Sequence, residues 1–246
     1  INNDGNGSNS GHVRVFEYQV ISGTATWTQL GQDIDGEAES DESGSSISLS
    51  SDGSRVAIGA MVNGHVRIYD YNGSAWVQVG GDIDGEAAGD QSGSSVSLSS
   101  DGSRVAIGAR ENDGNGAAAG HVRIYDYDGS SWVKVGVDID GEAAGDKSGY
   151  SVSLSSDGSK IAIGAPYNKS RYNRTNAGHT RIYSLPVDSY QYAWDVDSGG
   201  APSDGTYRAT VAGADLAGNA YSGTDSITFT IDSTPPTVIL TDTDAD

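Results

Sequence analysis

The chain has 246 residues, of which 34 are acidic and 14 are basic, so its formal net charge at pH 7 is -20. A negative field of this size repels nucleic acid, and no run approaches the ~18 consecutive apolar residues of a membrane-spanning helix. The absence of cysteine excludes a disulfide framework and a thiolate metal site, while 35 glycines favour short strands joined by tight turns. We therefore expect no nucleic-acid partner and no membrane insertion.

A repeat organises the first part of the chain. The phrases GHVRVFEY, GHVRIYDY, GHVRIYDY and GHTRIYSL begin at residues 11, 64, 120 and 178. Each repeat contains about four short segments in which apolar and polar residues alternate, and turns rich in Asp-Gly separate them. This pattern predicts four-stranded blades of a partial β-propeller within residues 1–184. Its repeats are 11–63, 64–119 and 120–177, with the start of a fourth at 178.

The composition changes after residue 184. The segments SYQYAWDVD, GTYRATVAGAD and DSITFTID alternate like strands, and STPPTV follows them. An Ig-like sandwich has about seven strands, so residues 185–234 would be only the C-terminal half of one. Residues 235–246 would form the first strand of the next module. The predicted fold class is therefore all-β, a partial β-propeller followed by a partial Ig-like β-sandwich.

Two stretches carry a resemblance to known families. SGSSVSLSSDGSRVAIGA and SGYSVSLSSDGSKIAIGAP resemble the FG-GAP repeats of integrin-α-type propellers, and DGTYRATVAGADLAGNAYSGTDSITFTIDSTPPTV resembles tandem Ig-like repeats of large Bacteroidota surface adhesins, including gliding adhesins. The FG-GAP resemblance implies calcium loops before the GAP strand, but here the sequence is only SSDGS. Family calcium ligands are therefore not carried onto that turn.

An acidic loop occurs once in each repeat, as DIDGEAESD, DIDGEAAGD and DIDGEAAGD. Calcium prefers carboxylate and carbonyl oxygens, and crowded carboxylates repel each other unless a cation neutralises them. No lysine or arginine lies inside these loops, which favours Ca²⁺; the alternative is a solvated acidic turn. The candidate metal ligands are Asp33, Asp35, Glu37, Asp41, Asp82, Asp84, Glu86, Asp90, Asp138, Asp140, Glu142 and Asp146.

The chain's last residues offer a further cluster, TDTDAD, in which Asp242, Asp244 and Asp246 would share one face of a strand. We treat it as a second candidate calcium site, with a frayed acidic end as the alternative. A basic and aromatic loop in the third repeat is a candidate ligand contact, with a simple interblade loop as the alternative. Its residues are Tyr167, Lys169, Arg171, Tyr172 and Arg174.

Recurring His12, His65, His121 and His179 are interpreted as structural, because an arginine follows each by two residues. The recurring tryptophans are interpreted as packing between blades. Near-identical acidic loops argue against catalysis, since an active site is usually single, and no catalytic motif appears. We therefore expect no enzyme activity.

Together these observations predict a segment of a large extracellular or cell-surface bacterial adhesin or fibre, stabilised by Ca²⁺, that binds a surface glycan or protein. The open propeller edges leave two interpretations, further blades upstream or pairing between chains. One alternative function is therefore a filament subunit that self-associates by strand exchange. Another is a carbohydrate-binding module of a secreted protein.

Overall fold

A computed structural model describes residues 6–169 and 177–185, and the backbone of residues 205–210 and 226–231. The described residues form strands and turns, with no helix among them. The chain divides into two compact units, Ile1–Asp188 and Ser189–Asp246.

Four short strands begin the first unit, and we call them the half-blade. They are β1 (His12–Val13), β2 (Phe16–Ile21), β3 (Thr24–Gln29) and β4 (Ile34–Asp35). Strand β1 pairs with β4 and β2 with β3, both antiparallel. They correspond in sequence to the third and fourth strands of the blades that follow.

The next two sheets are complete blades. Blade 2 contains β5 (Ser43–Leu49), β6 (Arg55–Ala60), β7 (His65–Tyr71), β8 (Trp76–Gln78) and β9 (Ile83–Asp84). Blade 3 contains β10 (Ser92–Leu98), β11 (Arg104–Ala109), β12 (His121–Tyr127), β13 (Trp132–Lys134) and β14 (Ile139–Asp140). In each blade the last two short strands pair with opposite ends of the third strand, so they share the fourth strand position.

Blade 4 has three described strands, β15 (Ser151–Leu154), β16 (Lys160–Ala165) and β17 (His179–Ser184), in sequential antiparallel order. In the second unit β18 (Gly205–Thr210) pairs with β19 (Ser226–Ile231). The predicted strand at 189–197 and the predicted module start at 235–246 lie outside the described residues.

The Asp-Gly turns between the first and second strands form for a local reason. The carboxylate of Asp52 accepts hydrogen bonds from the backbone N–H and the hydroxyl of Ser54 and from the hydroxyl of Ser50. Gly53 has a φ of 71°, a conformation that glycine adopts without steric cost. Asp101 and Asp157 make the same bonds in the next two blades.

The core lies between the faces of successive blades. Val66 and Ile68 of blade 2 pack with Val105 and Ile107 of blade 3 in one buried cluster. Equivalent clusters join the half-blade to blade 2 and blade 3 to blade 4. The all-β prediction is confirmed, and the stacked sheets are propeller-like; an Ig-like sandwich is not shown by the described residues.

Candidate metal groups and the acidic loops

The last aspartate of each acidic loop is buried. Asp41 is 0% exposed, and its carboxylate accepts hydrogen bonds from the backbone N–H groups of Glu37 and Ala38, at 2.6 and 3.0 Å. Asp146 accepts the equivalent bond from Ala143 at 3.1 Å. This carboxylate therefore closes its own loop into a turn.

An asparagine from the loop after the second strand completes that arrangement. Asn112 donates from Nδ2 to Asp90 at 2.7 Å, and Asn168 donates to Asp146 at 2.6 Å. Asn63 donates to Asp41 in the same way. The sequence analysis did not identify these asparagines, although GAMVN, GAREN and GAPYN place one at the same position of each repeat.

The glutamate of each loop meets an arginine on the third strand of the following blade. The pairs are Glu37–Arg67, Glu86–Arg123 and Glu142–Arg181. The absence of basic residues inside the loops favoured a cation in the sequence analysis, but here arginines from outside the loops neutralise part of the charge. The glutamate and the last aspartate of each loop therefore connect one blade to the next through protein partners.

The second aspartate of each loop ends the short outer strand. Asp35 lies opposite His12, and Asp140 lies opposite His121, in antiparallel register. Asp84 is exposed at the equivalent position in blade 2. Asp82, also exposed, accepts a hydrogen bond from Gln78 at 2.6 Å.

One group that could hold a metal ion contains His12, Asp33 and Asp35, whose potential ligand atoms all lie within 4.8 Å of one another. The local fold explains the grouping. Directly opposed residues on antiparallel strands share a face, which puts His12 and Asp35 on one face of the β1–β4 pair, and Asp33 immediately precedes β4.

The hydrogen bonds around this group leave one atom without a partner. His12 Nδ1 is buried and has no hydrogen-bond partner in the described structure. Asp33 receives hydrogen bonds from Arg14, at 2.7 and 2.9 Å, and from Gln29 at 2.7 Å. The bonds from Arg14 and then Gln29 lower the pKa of Asp33, which keeps it ionised as a metal ligand must be.

The second group contains Glu86, His121 and Asp138. Two cationic side chains already contact it, since Arg123 bridges Glu86 and Asp138 and Lys134 pairs with Asp138. Burial lowers the pKa of His121, partly offset by nearby aspartates, so its imidazole is neutral at pH 7. The cations make this group the poorer metal site.

The candidate ligand-contact loop is described only in part. Tyr167 is 40% exposed and stands edge-on to Tyr150, with their ring centroids 6.3 Å apart. Lys147 lies over the Tyr167 ring, and Lys169 is exposed. Arg171, Tyr172 and Arg174 lie outside the described residues, as do Asp242, Asp244 and Asp246.

Two of the three recurrent tryptophans join neighbouring blades. The indole N–H of Trp76 donates to the carbonyl of Leu30 at 2.8 Å, and that of Trp132 donates to Val79 at 2.9 Å. Trp27 instead is 66% exposed and contacts Tyr18. Trp76 and Trp132 therefore each form a hydrogen bond to the sheet that precedes their own in the chain.

No known protein family model and no curated protein matches the chain. Among solved structures it is similar to a putative 6-phosphogluconolactonase from Bacteroides uniformis, at 13% identity over 70% of this chain and 49% of that one, with a TM-score of 0.47. It is also similar to a periplasmic gluconolactonase from Pseudomonas aeruginosa, at 14% identity over 70% and 52%, with a TM-score of 0.36. A third is the calcium-binding protein regucalcin from Agrobacterium tumefaciens, at 15% identity over 63% and 50%, with a TM-score of 0.32. The chain spans about half the length of these proteins.

These findings correct the family and function predicted from the sequence. These solved structures include two that are named as lactonases, and none of them is an FG-GAP adhesin repeat, so the assignment to FG-GAP and gliding-adhesin families is contradicted. The same comparison contradicts the adhesin function and its two alternatives, the filament subunit and the carbohydrate-binding module. It also contradicts the expectation of no enzyme activity. The turn that precedes the GAP strand, where the FG-GAP resemblance implies calcium ligands, is closed instead by its own serines, because Asp52 accepts hydrogen bonds from Ser50 and Ser54.

The support for metal binding in the described residues consists of these two groups of potential ligands. In the described part of the chain, no helix is long and apolar enough to cross a membrane. An extracellular or cell-surface location stays a prediction.

Proposed function

We propose that this chain is part of a propeller that binds a divalent cation at His12, Asp33 and Asp35 and uses it to hydrolyse a small ester. The observation that carries the proposal is the grouping of the His12 imidazole with two carboxylates, and Nδ1 of this imidazole is buried without a hydrogen-bond partner among the described residues. A bound cation would give the imidazole a partner and, together with Arg14, would neutralise the two carboxylates.

The donor set favours one class of ion. Imidazole nitrogen suits Zn²⁺ and carboxylate oxygen suits Mn²⁺, so a mixed set of one imidazole and two carboxylates favours these ions, whereas Ca²⁺ takes six to eight oxygen ligands. The Ca²⁺ expected from the sequence is therefore the second candidate at this site. Three protein donors leave coordination positions for water and substrate, which is typical of catalytic metal sites.

Each neighbouring residue has a role in this proposal. Arg14 and Gln29 hold Asp33 in one orientation, as outer hydrogen-bond partners do around metal ligands. A carboxylate oxygen has two lone pairs, so Oδ1 of Asp33, which accepts one hydrogen bond from Gln29, retains a lone pair for a metal, whereas Oδ2 already accepts two hydrogen bonds from Arg14. When bound, the cation would polarise an ester carbonyl and lower the pKa of a water.

Measuring the acid that is released on hydrolysis tests the proposed esterase activity. The probe is δ-gluconolactone, because opening its ring releases a carboxylic acid that a pH-stat records directly. The chain is treated with EDTA and then supplied with Mn²⁺, Zn²⁺ or Ca²⁺. We expect hydrolysis above the spontaneous rate only with metal, and its loss in His12→Ala and Asp35→Asn.

Glu86→Gln is the matched control, because Glu86 belongs to the group that Arg123 and Lys134 already neutralise. It should hydrolyse the lactone at the rate of the unchanged chain. Equal metal-dependent rates in His12→Ala and the unchanged chain would place the activity elsewhere, and no metal-dependent acid release would refute hydrolysis of this lactone.

A further inference from the structure

A socket recurs where one blade meets the next. The hydroxyl of Ser46 in blade 2 donates to the carbonyl of Gly93 in blade 3 at 2.7 Å, and Ser95 in blade 3 donates to Gly149, which leads into blade 4, at 2.7 Å. A Cβ added to Gly59 would lie 2.1 Å from the Gly93 oxygen. Each socket thus consists of a serine and a bare glycine that fit the Ser-Gly segment of the next blade.

Blade 4 has the same socket, and no described residue of another blade lies in it. Ser151 and Gly164 occupy the equivalent positions, and around a Cβ added to Gly164 the neighbouring atoms all belong to Ser151. Here the described residues form a recess of about 460 Å³, bordered also by Tyr150, Pro166 and Thr180.

The rest of this face carries the counterparts of the residues that contact the next blade in blades 2 and 3. Ile68 and Ile124 are 1% and 3% exposed on the third strands of blades 2 and 3, whereas Ile182, at the same position of blade 4, is 73% exposed. In blade 3 the hydroxyl of Ser97 accepts a hydrogen bond from the backbone N–H of Leu154 at 3.0 Å. Ser153 is the equivalent serine of blade 4.

A basic residue on the second strand adds a third type of contact. Arg55 donates to the carbonyl of Gly102 at 3.0 Å, and Arg104 donates to Gly158 at 2.9 Å, each in the Asp-Gly turn of the next blade. Lys160 holds this position in blade 4.

We propose that this face of blade 4, formed by Ser151, Ser153, Lys160, Gly164 and Ile182, binds a further blade of the same repeat. The occupant is a first strand of the type Ser-Gly-x-Ser-apolar-Ser-Leu followed by an Asp-Gly turn. Its glycine carbonyl accepts from Ser151, its leucine N–H donates to Ser153 and its turn carbonyl accepts from Lys160. Its apolar side chains cover Ile182.

A second copy of the chain fits this face less well. It would present the exposed Ile47 and Leu49 of β5 as a matching first strand. Its half-blade, however, already packs on Val56 and Ile58, the part of blade 2 that β17 would need to contact. Docking would therefore require the half-blade to leave.

Thiol labelling of an extended chain tests the proposal. A second copy of residues 127–184 is inserted after Ser184, which supplies a fourth strand for blade 4, an acidic loop and three strands of a new blade. Because the chain has no cysteine, Ile182→Cys in the original blade 4 introduces a single reactive site. We expect it to react rapidly in the unextended chain and at least about tenfold more slowly in the extended chain, since a docked blade restricts access.

Ile68→Cys is the control for a buried position in both chains. Equal labelling of Ile182→Cys in the two chains, with a cooperative urea transition showing that the extended chain is folded, would overturn the proposal. Protection that grows with protein concentration in the unextended chain would identify a second copy as the occupant and would also overturn it.

Should the inserted repeat fail to fold, a peptide copying residues 146–165, which holds the first-strand segment and its Asp-Gly turn, is used with the unextended chain. Saturable protection of the Ile182→Cys thiol by this peptide, abolished by Gly164→Val, is the expected result. No protection by the peptide at millimolar concentration would count against the proposal.

Discussion

Asn112 donates a hydrogen bond to the buried carboxylate of Asp90, and this 2.7 Å contact fixes the loop that arrives from blade 2 onto blade 3. The same contact recurs at Asp41 and Asp146. A buried carboxylate without such a partner would keep its desolvation cost without the compensating bond. These aspartates are therefore structural parts of the loop.

Asn112→Ala should destabilise the chain by about 1–3 kcal/mol, because it leaves the Asp90 carboxylate buried with one partner fewer. Urea denaturation measures the loss. A double-mutant cycle with Asp90→Ala should show coupling, since the second change removes the group that the first one orphaned. Additive losses would mean that the two side chains do not interact.

Two equivalent glycines should respond differently to alanine. A Cβ at Gly108 would lie 2.1 Å from the carbonyl oxygen of Gly149, a backbone atom that cannot move without shifting blade 4. Gly108→Ala should cost about 1–3 kcal/mol or more through overpacking. At Gly164 the close atom is only the hydroxyl oxygen of Ser151, which can rotate away, so Gly164→Ala should be close to neutral. Equal losses in urea would contradict this reading of the socket.

The turn at Asp128 should make stability sensitive to acid. Hydrogen bonds from the backbone of Ser131 and Ser130, and then from their hydroxyls, lower the pKa of Asp128 to about 2. A depressed folded-state pKa contributes stability above the unfolded value near 3.8, and that contribution is lost as the pH falls towards 2. The melting temperature should therefore decrease over this interval.

Asn72 provides the control for that prediction, because its side-chain oxygen accepts the same backbone bonds from Ser74 and Ala75 without titrating. Asp128→Asn should keep the turn and reduce the change in melting temperature between pH 4 and pH 2. An unchanged pH dependence would assign the acid sensitivity to other carboxylates.

Arg123 should be the residue that prevents a metal ion from binding to the group of Glu86, His121 and Asp138. Arg123 contacts both Glu86 and Asp138, so its guanidinium occupies the place of a cation. In a chain that carries His12→Ala, the further change Arg123→Gln should create binding of Mn²⁺, seen as loss of its free electron paramagnetic resonance signal. The single variant His12→Ala should leave that signal unchanged. Without a difference between the two variants, competition by Arg123 would be refuted.

The local sequence pattern was enough to predict strands and turns within the repeats. The alternation in HVRIYDY predicts β7 and β12, and Asp-Gly marks the turns that Asp52 and its equivalents close. Both signals lie within a few residues, so they do not depend on where the rest of the chain folds.

Partners from distant parts of the chain were not predictable in the same way. Glu86 meets Arg123 only because a loop crosses from one blade to the next, and nothing inside the acidic loop indicates that partner. The grouping of His12 with Asp35 depends on the register of β1 and β4, which the spacing of 23 residues does not give. The recurring asparagines were the readable signal that the sequence analysis missed.

Calorimetric titration of the metal-free chain with Mn²⁺ and Zn²⁺, repeated for His12→Ala and for the control Glu86→Gln, tests the proposed metal site most directly. We expect saturable binding of about one ion per chain, lost in His12→Ala and kept in Glu86→Gln. Binding that is unaffected by His12→Ala, or the absence of binding by the unchanged chain, would contradict a metal site at His12, Asp33 and Asp35.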